Sequence, residues 1–75
     1  GNAYKINIYN NKNVLQHSCN GNFKYICETN NLPFHNLRQS YNSNGARIHI
    51  NLRKSARTTL IKNNRLLEGW YAIKE

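Results

Sequence analysis

The sequence predicts a small α+β domain of order β-β-α-α-β-β, with an N-terminal hairpin, a helix-turn-helix and a closing C-terminal strand. Three observations lead there. The chain has 75 residues, enough for one domain that buries only about 60% of its unfolded surface. Its apolar side chains alternate near both ends but recur at helical spacing between residues 23 and 42. Turn-forming residues, mostly Asn, punctuate the joins. The chain opens Gly-Asn rather than with Met, which predicts a piece of a longer protein.

Residues 4–9 place Tyr4, Ile6 and Ile8 on one face and Lys5, Asn7 and Tyr9 on the other, the alternation of a half-buried strand. Asn10-Asn11-Lys12-Asn13 is turn chemistry, and Val14 to Cys19 reads as a second strand, completing a hairpin. A lone hairpin is marginal in water, so it has to pack on the rest of the chain. Asn20-Gly21-Asn22 breaks the strand. Asn22 is a good N-cap for a helix beginning at Phe23, with Phe23, Ile26 and Cys27 on one face. Asn30-Asn31 stops this helix, because Asn tolerates the left-handed conformation that ends helices.

Pro33 suits the first turn of a second helix, from about Pro33 to Asn42, with Phe34, Leu37 and Tyr41 as its apolar stripe. Ala46 to Ile50 alternates and predicts a short strand. Residues 52–65 are the least readable: Thr58 to Ile61 read as a strand or as part of a basic loop. Leu66 to Ile73, containing Trp70 and Tyr71, reads as the closing strand. Tyr4, Phe23, Phe34, Tyr41, Trp70 and Tyr71 are expected in the core, and Tyr9 and Tyr25 outside it.

Charge narrows the partners. Eleven Lys and Arg oppose three Glu, for a net charge of +8, and no acid stands between Glu28 and Glu68. A one-sign block of this kind attracts polyanions and raises their association rate. No apolar run approaches the roughly 18 residues needed to cross a bilayer, so no membrane partner is expected. Cys19 and Cys27 fall at apolar-patterned positions and are expected as reduced, buried thiols.

Two short helices joined by a tight turn, the second with polar side chains outward, form the pattern of a DNA-binding helix-turn-helix. Asn and Gln amides pair bidentately with adenine in the major groove, and Arg with guanine. His35, Asn36, Gln39 and Asn42 are the expected base contacts. Arg38, Arg47, Arg53, Lys54, Arg57, Lys62 and Arg65 are the expected backbone contacts, which fix register without reading sequence. The expected partner is double-stranded DNA, with no cofactor, no metal and no small-molecule substrate. Catalysis is poorly supported: Glu28, Glu68 and Glu75 are scattered, and no C-x-x-C or H-x-x-x-H spacing gathers His17, Cys19, Cys27, His35 and His49 around a metal. An RNA or single-strand binder, or a protein-interaction module of a phage, stands as the alternative.

A family resemblance follows from short motifs. Tyr4-Lys5-Ile6-Asn7-Ile8-Tyr9-Asn10 is followed by Gly21-Asn22-Phe23-Lys24, by Asn31-Leu32-Pro33-Phe34, by a Leu-x-x-Ser segment from Leu37 to Ser40, and by Gly69-Trp70-Tyr71-Ala72-Ile73 at the close. The layout resembles the modular, NUMOD-like DNA-binding repeats and terminal domains of phage and organellar homing endonucleases of the GIY-YIG and HNH types. The resemblance covers nearly the whole chain except residues 47–65, which depart from it. It implies a hairpin, a helix-turn-helix and a closing strand that anchor a separate nuclease domain on its target. By the same resemblance, the setting is the cytoplasm of a phage-infected bacterium. No catalytic motif of either nuclease type is present in this chain.

Overall fold

The computed structural model describes residues 4–49 and 67–75. Its elements are β1 (Lys5–Tyr9), β2 (Leu15–Asn20), α1 (Phe23–Thr29), α2 (Phe34–Asn42) and β3 (Tyr71–Lys74). β1 is the middle strand of an antiparallel sheet ordered β2-β1-β3. The α+β layout expected of the chain, with hairpin, paired helices and closing strand, is therefore the one that forms.

The β1–β2 turn is built on Asn. The Asn10 carboxamide oxygen accepts from the N–H groups of Lys12 and Val14, and Asn13 adopts φ 66°. The register slips by one at the end of the ladder, where Ile8 pairs with His17 but Tyr9 with Leu15. Gln16 is thus a bulge, a device that raises local twist.

The alternation of β1 becomes a buried face. Ile6, Ile8, Cys19 and Ala72 lie on one side of the sheet, and Phe23, Cys27, Leu37 and Ile48 close over them. Tyr4 departs from the expected core: it is 40% exposed, lying past the last β1 pair with Lys74 Nζ 4.2 Å from its ring centre. Tyr9 is less exposed than expected, and Tyr71 lies outside the expected core, because the two rings stack at 5.1 Å on the far face of the sheet. Tyr25 is 65% exposed, as expected. On that far face Asn7 is buried, donating to Glu75 and accepting from Ser18.

The helix boundaries follow backbone chemistry. Asn22 takes the N-cap position of α1, but its side chain does not cap the helix; it accepts from the Asn20 N–H instead. Pro33 is the N-cap of α2 rather than its first turn, at φ −77° and ψ 93°. Both helices end on Asn in the left-handed region, Asn31 at φ 55° and Asn44 at φ 56°. In each case the next residue reaches back to an orphan carbonyl: Leu32 N–H to Cys27 O at 2.8 Å, and Gly45 N–H to Ser40 O at 2.9 Å. This is the Schellman closure.

The strand expected over residues 46–50 is corrected. Residues 46–49 form no strand, and Ile50 lies outside the described residues. The segment runs beside β3 and meets a turn, not a strand. Its regular bonds are those of one residue, Ile48 N–H to Trp70 O at 2.7 Å and Gly69 N–H to Ile48 O at 2.8 Å. Gly45 makes this path accessible: at φ 81° its position against Ile73 leaves no room for a Cβ, which would overlap Ile73 Cδ1. The closing strand is also shorter than expected. Residues 67–69 are a turn, and pairing with β1 begins at Tyr71.

Candidate nucleic-acid interface

α2 presents two sides. Leu37 and Ser40 are buried, and Phe34 and Tyr41 pack against the core. His35, Asn36, Gln39 and Asn42, the expected base contacts, are all exposed. The helix contains no acid, and no side chain caps its first turn. Arg38 is also exposed and stands beside the Tyr41 hydroxyl. That hydroxyl titrates above its ordinary value, chiefly because it is desolvated and because Tyr4 hydrogen-bonds it, while Arg38 acts in the opposite sense.

Ser40 joins three elements. Its hydroxyl donates to Ala46 O at 2.6 Å and accepts from the buried Ala72 N–H at 2.9 Å. One side chain thus satisfies a β3 edge amide and fixes residues 46–49 to α2. Between α2 and that segment runs an open cleft of about 280 Å³. Asn36, Gln39 and Ser43 form one wall, Arg47 and His49 belong to the other, and Ser40 lies between them.

Arg47, expected on phosphate, is engaged internally. Its guanidinium donates to Gly69 O at 2.9 Å, to Asn11 O and to the Asn13 carboxamide, and it lies 4.8 Å from the Tyr71 ring centre. Tyr71 completes the knot by donating to Asn13 at 2.9 Å. Arg47 therefore ties the hairpin turn and the 67–70 turn to the segment leaving α2.

Arg53, Lys54, Arg57, Lys62 and Arg65 lie outside the described residues, as does the alternative strand over Thr58 to Ile61. The Ile48–Gly69–Trp70 bonds hold the two flanks of residues 50–66 together, with His49 Nδ1 3.1 Å from Glu68 Oε1. These flanks adjoin the cleft wall opposite α2.

Ser40, Ser43 and His49 were not singled out by sequence as interface residues. Ser40 carried a signal: it stands three residues after Leu37 on a helix whose next buried-side residue is Tyr41, a spacing that points a hydroxyl inward. Ser43 and His49 gave none, since their role comes from the path of residues 45–49. Among the described residues no group of three or more His, Cys, Asp or Glu is gathered to hold a metal ion, and no helix is long and apolar enough to cross a membrane. Compared with protein-family models, curated proteins and solved structures, the chain finds no match, so a functional reading has to rest on its own residues.

Proposed function

We propose that this chain is a targeting domain that binds duplex DNA, with α2 in the major groove and the basic residues of the 53–65 stretch on phosphates. The observation that carries the reading is the acid-free α2, buried along one side and exposed at His35, Asn36, Gln39 and Asn42. An α-helix about 10–12 Å across fits a major groove about 12 Å wide, and amide side chains on its open side match adenine edges. Charge supports it: five of the eleven cations and none of the acids fall in residues 50–66, whose flanks adjoin the α2 cleft. On this reading the chain is not itself an enzyme. It directs another domain, as in the homing-endonuclease modules it resembles, in the cytoplasm of a phage-infected bacterium.

Gel shifts on a selected site and on random duplex test this. Gln39→Ala with Asn42→Ala is expected to lower specificity, by about 1–3 kcal/mol for each bidentate amide–adenine pair removed. Arg53→Ala with Lys54→Ala is expected to weaken all duplexes alike. If five or six phosphates are neutralised, log affinity falls against log salt with a slope of about −5. Equal effects of both pairs on selected and random DNA would remove α2 from the recognition role. Preference for single-stranded competitors would replace duplex binding with the RNA or single-strand reading.

A further inference from the structure

α2 carries two polar stripes rather than one. His35, Gln39 and Asn42 are spaced i, i+4, i+7, and so are Asn36, Ser40 and Ser43 one position on. Residues at such spacings share a helix face. The second stripe faces residues 46–49 across the cleft. Ser40 binds Ala46 O and the Ala72 N–H, so the separation of the two walls is set before any ligand arrives. Asn36 and Ser43 remain exposed on the helix wall. No carboxylate lines the cleft among the described residues, and Glu68, next to its far wall, pairs with His49.

A helix lying in the major groove nearly fills its width, so the phosphates of both strands run close along its flanks. One flank of α2 is bordered by residues 46–49, which leaves the cleft as the path for the strand on that side. Resting on the DNA-binding reading, we propose that this cleft seats the sugar–phosphate backbone of one strand, with the Asn36 amide and the Ser43 hydroxyl donating to its phosphates. His35 and Asn42, which do not line the cleft, and Gln39, which also lines it, are then the residues left to meet base edges. Asn36 positions the domain and Gln39 specifies the sequence, a division of labour common at protein–DNA interfaces.

The test uses the whole chain and its selected duplex, with each phosphate in turn replaced by an uncharged methylphosphonate. The wild-type protein is expected to lose about tenfold in affinity at one or two adjacent positions, as befits hydrogen bonds to a charged group. Asn36→Ala/Ser43→Ala is expected to bind about tenfold more weakly, to be indifferent to methylphosphonate at those positions, and to keep its ratio of selected to random affinity. Gln39→Ala is expected to do the reverse, keeping the phosphate footprint and losing the ratio. Ser43→Thr, which retains the hydroxyl, is expected to keep the footprint in an otherwise native chain. A full wild-type footprint surviving in Asn36→Ala/Ser43→Ala overturns the cleft assignment while duplex binding stands. Absence of salt-sensitive duplex binding by the wild-type chain overturns the DNA-binding reading and the cleft with it.

Discussion

Arg47 is the side chain whose role changes most between sequence and fold. A cation in an acid-free stretch of a basic chain reads as a phosphate ligand. Here the guanidinium instead meets two carbonyls, one carboxamide and an aromatic ring. The fork geometry suits this, since several N–H groups diverge from one plane. The expected outcome for Arg47→Ala is a loss of about 1–2 kcal/mol of stability in urea denaturation, the scale of one or two partly exposed hydrogen bonds with a cation–π contact. Arg47→Lys is expected to recover little, because an ammonium cannot reach all the acceptors while covering the ring. The salt slope of DNA binding is expected to stay constant. A slope shallower by about one, with stability unchanged, would instead make Arg47 a phosphate ligand.

The elements owe their ends to asparagine. Asn13, Asn31 and Asn44 are the positive-φ non-glycine residues among those described, and they stand at the hairpin turn and behind the two helices. A side chain with a Cβ in this region is strained by roughly 1–2 kcal/mol, and Asn is the residue that bears it best after Gly. Asn31→Ala and Asn44→Ala are therefore expected to cost about 1 kcal/mol each, with Asn→Gly near neutral, as read from urea midpoints at a constant m-value. Equal midpoints for the Ala and Gly forms would remove backbone strain as the reason for Asn at either site. This punctuation is also why β1, β2, α1 and α2 were legible in the sequence to within a residue or so. Each pairs a clean period with an Asn stop. Residues 46–50 were misread because Arg47-Ile48-His49 has a strand's alternation while its bonding partner is the 67–70 turn, which local pattern does not reveal. The outward face of α2 was legible from its periodicity. The cleft beside it was not, because it depends on Ser40 joining residues distant in sequence.

Across the whole molecule, charge divides into two populations. In the described residues Lys5 lies 4.0 Å from Glu75, Lys24 lies 4.0 Å from Glu28, Lys74 covers Tyr4, and Arg47 is held by the two turns. The densest run of charge in the sequence is the block of five cations in residues 50–66, where no acid stands. The described residues carry six cations against three acids, and their cohesion comes from the small core, where Cys19 and Cys27 are both fully buried. Burial raises both thiols, Cys27 to about 12 from an ordinary 9.0, chiefly by desolvation, then by the nearby Cys19 and Glu28. A thiol raised in this way holds its proton more tightly folded than unfolded. Its contribution to stability is present below pH 9.0 and is lost as pH rises from there toward about 12. Because the thiolate is the reactive form, a disulfide-exchange reagent at pH 8 is expected to label neither cysteine in the native protein and both in urea. The labelling rate at intermediate urea is expected to follow the unfolded fraction. Cys27→Ala is expected to lower stability at neutral pH while flattening the alkaline decline. One thiol reacting at native rates without urea would mean that the sheet and α1 open separately from the rest, and that the core is not a single cooperative unit.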